Sequence, residues 1–173
     1  GQTSGTTAKI TSQHNLIYQK LISQVGLEQA RQYAAANQAA IREYRQLIQK
    51  NSIFCDFEEL PSYLYSTTVS EPLRREAEAA GRLGIRADFV TKTELPFAIH
   101  GAVRFEGQAK FHPMEFLQSI SMPLTIYENT TVMWVNGHKV RTDRGTVTAE
   151  SVVFACHYPF VNIPGFYFAR MYQ

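Results

Sequence analysis

A row of hydroxyl side chains opens the chain, with a single cation among them. Six of the first 14 residues are Ser or Thr, including Ser4, Thr6 and Thr7, and Lys9 lies within the same stretch. Hydroxyl and ammonium groups could hold a polar ligand. The same composition is also typical of a polar chain end that binds nothing. Taken alone, these residues favour the polar chain end.

The other reactive residue types do not form a known catalytic or metal-binding pattern. Cys55 and Cys156 are the two cysteines, and they lie far apart. Two such thiols make neither a disulfide framework nor a metal cluster, so we expect a reducing compartment and no metal site. No Ser-His-Asp or Cys-His set occurs at a convincing spacing.

Composition predicts a globular domain with more apolar surface to bury than an average domain has. Of 173 residues, 45% are hydrophobic, 12% aromatic and only 18% charged. We expect part of this surface to face a ligand, a second domain or another subunit. The net charge is +2 without a basic block, which argues against nucleic-acid binding. No signal peptide or long apolar run is present, so we expect a cytoplasmic protein without membrane contact.

Hydrophobic periodicity predicts the helices that must position any site. Apolar residues recur at helical spacing from His14 to Gly26, which should end or bend that helix. From Leu27 to Ile48 the steps are four and three, which predicts one long helix with Asn37 as the polar member of its buried face.

Two shorter helices have their own start signals. Ser70 is predicted to cap a helix that buries Leu73, Ala77 and Ala80. Pro113 is predicted to open a helix through Ile120. Its expected buried residues are Phe116, Leu117 and Ile120.

Alternating patterns predict the strands. Two short strands should flank Pro61, a further strand should cover 87–95, and the stretch 100–113 alternates again as a strand does. The turn Asn136-Gly137 predicts a three-stranded meander over 130–149. The apolar run Val152–Cys156 is typical of a strand buried on both faces. The predicted class is α+β, with a mixed sheet, flanking helices and the meander.

Three stretches, in this order and at this spacing, resemble one protein family. They are SGTTAKITSQH (Ser4–His14), FHPMEFLQSI (Phe111–Ile120) and the segment Ile126–Phe160. They resemble FAD-dependent oxidoreductases of the D-amino-acid-oxidase-like superfamily, which includes glycine oxidase, sarcosine oxidase and gamma-glutamylputrescine oxidoreductase. The resemblance is greatest to bacterial members in which a Rieske iron–sulfur domain can follow the flavoprotein part.

The resemblance implies an excised fragment, because neither a Gly-x-Gly-x-x-Gly loop nor a Rieske ligand set occurs in the sequence. It implies a cofactor-facing loop at 1–13, helices and a substrate-binding sheet at 14–125, and the meander and buried strand of the FAD-binding domain at 126–173. FAD is expected in the intact parent, and we expect the isolated fragment to be inactive.

The resemblance also assigns residues to the cofactor. Lys9 is the catalytic candidate, since a cation beside the flavin can stabilise its reduced form or activate oxygen; the alternative is a solvated lysine. Cys156 should be a tolerated small side chain and not a nucleophile. The implied cofactor-binding residues are Ser4, Gly5, Thr6, Thr7, Ala8, Lys9, Val132, Ala155, Cys156 and His157.

Four residues are assigned to substrate: Tyr63, Tyr65, Arg104 and His112. The tyrosines alternate and should share one face, while a guanidinium can grip a carboxylate. The alternatives are a surface charge for Arg104 and a hinge between sheet and helix for His112.

The implied parent oxidises a C–N bond of an amine or amino acid. Its expected partners are that substrate and the Rossmann and Rieske domains of the same chain. A non-catalytic module that binds a small ligand or a protein is the alternative, and self-association of the fragment is a third reading.

Overall fold

The computed structural model describes residues 2–156, which fall into two units divided after Pro123. Both contain regular secondary structure, and the predicted α+β class is confirmed. The first unit contains a 3-10 turn Gln2–Gly5, strands β1 Lys9–Ile10, β2 Glu58–Ser66, β3 Ala87–Val90 and β4 Gly101–Lys110, and helices α1 Tyr18–Lys50, α2 Glu71–Arg82 and α3 Pro113–Ser121. The second contains β5 Val132–Asn136, β6 Lys139–Thr142 and β7 Thr146–Thr148.

Strand β4 organises the sheet of the first unit. It pairs antiparallel with β1, β2 and β3. Strands β2 and β3 therefore run parallel to each other, joined through α2, but β4 lies between them. Every strand pair in the described residues is antiparallel, so the prediction of a mixed sheet is wrong.

Helix α1 follows its predicted pattern. Gly26 interrupts it with φ +83° and ψ 168°, a conformation open to glycine alone, and so divides it into two helical segments. After this break Ala30, Ala34, Ile41 and Ile48 are buried. The helix face whose residues are spaced four and three positions apart therefore faces the sheet, as expected.

Helix α2 confirms the buried stripe but not the predicted cap. Leu73, Ala77 and Ala80 are buried. Ser70 makes no side-chain capping bond, because its backbone (φ −117°, ψ −27°) is helical and not the extended form of an N-cap. In α3, Phe116 is buried and Ile120 packs beside it, whereas Leu117, one residue round the helix, is exposed against prediction.

Strand β2 is continuous, so the prediction of two strands around Pro61 is wrong. Leu60 pairs with Gln108 and Ser62 with Phe105, so two residues of β4 lie opposite Pro61. This is a β-bulge, in which a proline costs no ladder hydrogen bond. The extra residue Gly107 adopts φ +67°.

The second unit is the predicted meander. Asn136 pairs with Lys139 across a two-residue turn, in which Gly137 has the positive φ, +55°, that a hairpin of this type requires. The apolar run 152–156 is not a strand, and Val153 and Phe154 are exposed. A strand needs a neighbour for its backbone groups, and no described strand pairs with this run.

Two glycines with opposite surroundings give a matched test of packing. A Cβ on Gly101 would lie 2.5 Å from ring atoms of Phe89, whereas one on Gly81, inside α2, would meet nothing within 4 Å. We expect Gly101→Ala to lower the free energy of unfolding by about 2 kcal/mol through overpacking. Gly81→Ala should raise it by about 0.5–1 kcal/mol, since alanine favours the helix. Urea unfolding of both variants would contradict this if the two changes had the same sign.

Candidate functional site

The sheet of the first unit has one face against helices and one face without them. The rung of Leu64, Val103 and Phe89 belongs to the core cluster formed with α1 and α2. Because side chains alternate along a strand, the neighbouring rungs point the other way. We call this second side the open face.

The open face brings together three of the four predicted substrate residues. Tyr63 lies directly opposite Arg104, and Tyr65 lies opposite Ala102. The prediction that both tyrosines share one face is therefore confirmed. Both rings remain exposed, Tyr63 at 40% and Tyr65 at 45%, so they are available to a ligand.

Lys9 lies on the same face, in a groove of about 340 Å³ that also reaches Tyr63. Its strand partner Lys110 is paired with Glu58 at 2.7 Å. Within residues 2–156, Lys9 has no acidic group at ion-pair distance. We call this the lysine groove; it is lined by Thr7, Lys9, Thr11, Leu60, Pro61, Ser62, Tyr63, Gln108, Ala109 and Lys110.

A second groove, of about 440 Å³, adjoins the first at Leu60, Pro61 and Tyr63. The loop after β3 forms its other wall. Phe97 of that loop packs against Tyr65, with ring centroids 5.7 Å apart. We call this the tyrosine groove; it is lined by Leu60, Pro61, Tyr63, Tyr65, Thr93, Glu94 and Leu95.

Arg104 already has a carboxylate partner. Its Nη2 lies 2.6 Å from Oε1 of Glu106, and its side chain is 38% exposed. The Nε atom is buried and has no hydrogen-bond partner in the described part of the chain. A substrate carboxylate at Arg104 would compete with Glu106, so this role stays a prediction.

His112 joins the sheet to α3. Its Nδ1 accepts a hydrogen bond from the backbone N–H of Glu115 at 3.2 Å, which caps the helix. Its own backbone N–H donates to the carbonyl of Cys55 at 2.6 Å. The structure thus gives His112 the hinge position, and contact with substrate stays a prediction.

The hydroxyl-rich opening is a turn held by its own side chains. Thr6 Oγ1 donates to the carbonyl of Thr3 and accepts from the N–H of Ala8. Ser4, Gly5, Thr6 and Thr7 are exposed. Lys9 and Ile10 then join the sheet beside Lys110 and Ala109, so strand pairing anchors one end of this turn.

Gln108 holds the next part of the loop and was missed from the sequence. Its buried Oε1 accepts from Thr11 Oγ1 at 2.9 Å, from the Ser12 N–H at 2.8 Å and from Ser12 Oγ at 3.3 Å. Gln38 of α1 donates to Ser12 Oγ at 2.7 Å. A polar residue at an alternating strand position was the only signal that could have indicated Gln108.

Glu76 and Tyr18 were also missed. The fully buried Glu76 accepts from the backbone N–H groups of Tyr18 at 2.7 Å and Gln19 at 3.0 Å. It thus caps the start of α1, where Ile17 supplies no side-chain cap. Tyr18 Oη in turn donates to the carbonyl of Ser12 at 2.5 Å, so α1 and the loop are fixed together.

Tyr18 gives the stability a pH dependence. Burial raises its pKa to about 12, from an ordinary value of 10.0. The unfolded chain therefore loses this proton first, and stability should fall as pH rises from about 10 to 12. Tyr18→Phe should lower the free energy of unfolding by about 1 kcal/mol at neutral pH. It should also remove the Tyr18 contribution to the loss of stability between about pH 10 and 12. Urea unfolding across that pH range tests it, with the exposed Tyr127→Phe as control; parallel curves for wild type and Tyr18→Phe would contradict it.

The second unit holds the remaining predicted cofactor residues. Val132 lines a groove of about 630 Å³ along the meander. Ala155 and Cys156 are exposed in irregular structure, and His157 lies outside the described residues. Their predicted roles beside FAD stay predictions.

Residues 2–156 contain neither a cluster of metal-ligating side chains nor a membrane-spanning helix. No group of three or more His, Cys, Asp or Glu side chains could hold a metal ion there. No helix in the same range combines the length and apolarity needed to cross a bilayer.

Comparison with known proteins decides the family. The model of the DAO family, described as FAD dependent oxidoreductase, matches residues 1–164. The chain belongs to the DAO family. A curated relative is the "Putative Rieske 2Fe-2S iron-sulfur protein YhfW" of Bacillus subtilis (strain 168), 32% identical over 184 residues. That alignment covers 100% of this chain and 36% of the relative, so the chain spans about a third of its length.

Three solved structures share the fold of this chain. Glycine oxidase from Geobacillus kaustophilus matches with a TM-score of 0.65 and 23% identity, over 90% of this chain and 45% of that one. Glycine oxidase from Bacillus cereus ATCC 14579 gives 0.59 and 19%, over 86% and 43%. L-proline dehydrogenase from P. horikoshii gives 0.53 and 14%, over 62% and 34%.

Proposed function

We propose that this chain is the substrate-facing part of an FAD-dependent oxidoreductase that oxidises a C–N bond of an amine or amino acid. The observation that carries the proposal is the open face. On it, Lys9, Tyr63 and Tyr65 line two adjoining grooves on the side of the sheet away from α1 and α2. Membership of the DAO family supports FAD as the cofactor of the intact protein.

The residues at the start of the chain fit one edge of such a cofactor. Ser4, Thr6 and Thr7 are exposed residues, and Gly5 has nothing within 4 Å of where its Cβ would lie. FAD presents phosphate, ribose and ring heteroatoms, which hydroxyl and backbone N–H groups bind. When bound, FAD supplies a hydride acceptor, while the protein supplies position and charge.

Within this chain, Lys9 provides the charge and the grooves provide the position. The ammonium of Lys9 has no acidic partner in residues 2–156, so its charge is available to an anionic group. Tyr63 lines both grooves, and a substrate bound against it would reach toward Lys9. The helices behind the sheet fix this arrangement from the opposite side.

We extend the proposal to the rest of the protein. The chain spans 36% of the length of its Bacillus subtilis relative, and the name of that relative describes a Rieske 2Fe-2S iron-sulfur protein. A longer parent would supply the Rossmann unit with its phosphate loop and, by analogy with that name, a Rieske domain. Both would be partners within one polypeptide.

The test is FAD binding by this chain beside the whole protein that its gene encodes. We expect the whole protein to bind FAD, seen by absorbance and calorimetry, and to reduce it with an amine or amino acid. Binding by neither form would overturn the oxidoreductase proposal and favour a non-catalytic binding module.

Lys9→Met in the whole protein tests the proposed charge. Loss of a charge-assisted contact should weaken FAD binding about tenfold. It should also make the flavin midpoint potential more negative, because the reduced cofactor gains negative charge. Lys20→Met removes an exposed lysine from α1 and serves as the control. Equal potentials in the two variants would show that Lys9 does not contact the cofactor.

A further inference from the structure

The tyrosine groove differs in charge from the lysine groove. We propose that it binds a cationic group of the substrate, and that this group is not the nitrogen that is oxidised. The inference rests on the proposed function and deepens it, because it names a feature of the substrate. The residues that support this inference are Tyr63, Tyr65 and Glu94.

The two tyrosines supply aromatic surface. Their rings are 40% and 45% exposed, and Phe97 packs against Tyr65 at a ring-centroid distance of 5.7 Å. Aromatic rings attract ammonium groups through their negative faces, and clusters of such rings recognise methylated ammonium ligands. A groove of about 440 Å³ has room for a small organic cation.

Glu94 supplies the charge. It is the one ionisable carboxylate that lines the groove, and no Lys, Arg or His among residues 2–156 lies at ion-pair distance from it. The N–H of Leu95 donates to Thr93 Oγ1 at 3.4 Å, which closes a small turn around Glu94. A carboxylate beside two phenol rings favours a cation and disfavours an anion.

The sign of the charge therefore reverses along the open face. Lys9, at one end, favours an anionic group, and Glu94, at the other, favours a cationic one. Tyr63 lines both grooves between them. The lysine groove is therefore the anion site of the open face, and the tyrosine groove is its cation site.

The chemistry of amine oxidation separates this cation from the reacting nitrogen. Hydride leaves the carbon beside a nitrogen only when the lone pair of that nitrogen is free. A neighbouring carboxylate stabilises the protonated form, in which the lone pair is occupied. The group held by Glu94 is thus a second nitrogen, and its binding positions the reacting end.

The experiment uses choline and its neutral isostere 3,3-dimethylbutan-1-ol as probes of the whole protein as purified. By calorimetry we expect choline to bind at least about tenfold more tightly than the isostere. Glu94→Gln should remove about tenfold of the choline affinity, and Tyr65→Leu should weaken it as well. Glu78→Gln, an exposed change on α2, is the matched control.

Equal binding of the two probes, or no effect of Glu94→Gln, would overturn the inference. The flavin absorbance of each preparation reports separately on the proposed function. Selective choline binding by protein that never takes up FAD would support the cation subsite while overturning the oxidoreductase. FAD binding without selective choline binding would do the reverse.

Discussion

Glu76→Ala is expected to lower the free energy of unfolding by about 3 kcal/mol. The carboxylate is fully buried and accepts from two backbone N–H groups, those of Tyr18 and Gln19. Alanine leaves both donors without an acceptor, and each buried, unsatisfied donor costs about 1–3 kcal/mol. The charge also lies at the positive end of the α1 dipole, which adds to the loss.

The measurement is urea unfolding together with hydrogen exchange at the Tyr18 amide. Glu78→Ala is the control, since Glu78 is exposed on the same helix and should change stability by less than about 0.5 kcal/mol. Glu76→Gln should cost less than alanine because one carbonyl acceptor remains. A Glu76→Ala variant as stable as Glu78→Ala would show that Glu76 does not cap α1.

Gln108→Leu is expected to cost about 2–3 kcal/mol of stability. Leucine fills a similar space but leaves the Ser12 N–H and the Thr11 hydroxyl, which both donate to Gln108, without an acceptor. In the whole protein we also expect FAD affinity to fall about tenfold, because the loop that carries Lys9 loses its anchor. Gln46→Leu, on the exposed surface of α1, makes the same chemical change without these contacts.

A double-mutant cycle with Ser12→Ala separates the network from general packing. If Gln108 acts through Ser12, the two substitutions together should cost less than the sum of their separate effects, by about 1 kcal/mol. Strict additivity would show that the two side chains contribute independently. Unchanged FAD affinity in Gln108→Leu would confine its role to stability.

Several local patterns were sufficient to predict the structure they describe. Steps of four and three along α1 predicted its buried face because a helix turns every 3.6 residues. Gly26 and Gly137 marked a helix break and a hairpin because each adopts a backbone conformation that other residues avoid. The alternation of Tyr63 and Tyr65 predicted a shared face for the same local reason.

Four of the misses depend on partners distant in sequence. Glu76 stands 58 residues from the amide it caps, and Gln108 stands 96 residues from Ser12, so neither contact leaves a local signal. A continuous β2 through Pro61 depends on the bulge that Gly107 provides in β4. The run 152–156 is apolar, as a buried strand would be, but a strand forms only where a neighbouring strand pairs with its backbone groups.

The length of the straight part of α1 has a mechanical consequence for the grooves. From Leu27 to Lys50 the helix extends about 36 Å, and the ten residues of β4 extend about 33 Å. Ala34, Ile41 and Ile48 each belong to a different core cluster along this length. Helix α1 therefore packs against β4 from Val103 to Ala109 and, past the end of the sheet, beside α3, so it resists bending of the sheet over that length. Adaptation to ligands of different shape then falls to the side chains and to the loop carrying Thr93–Leu95.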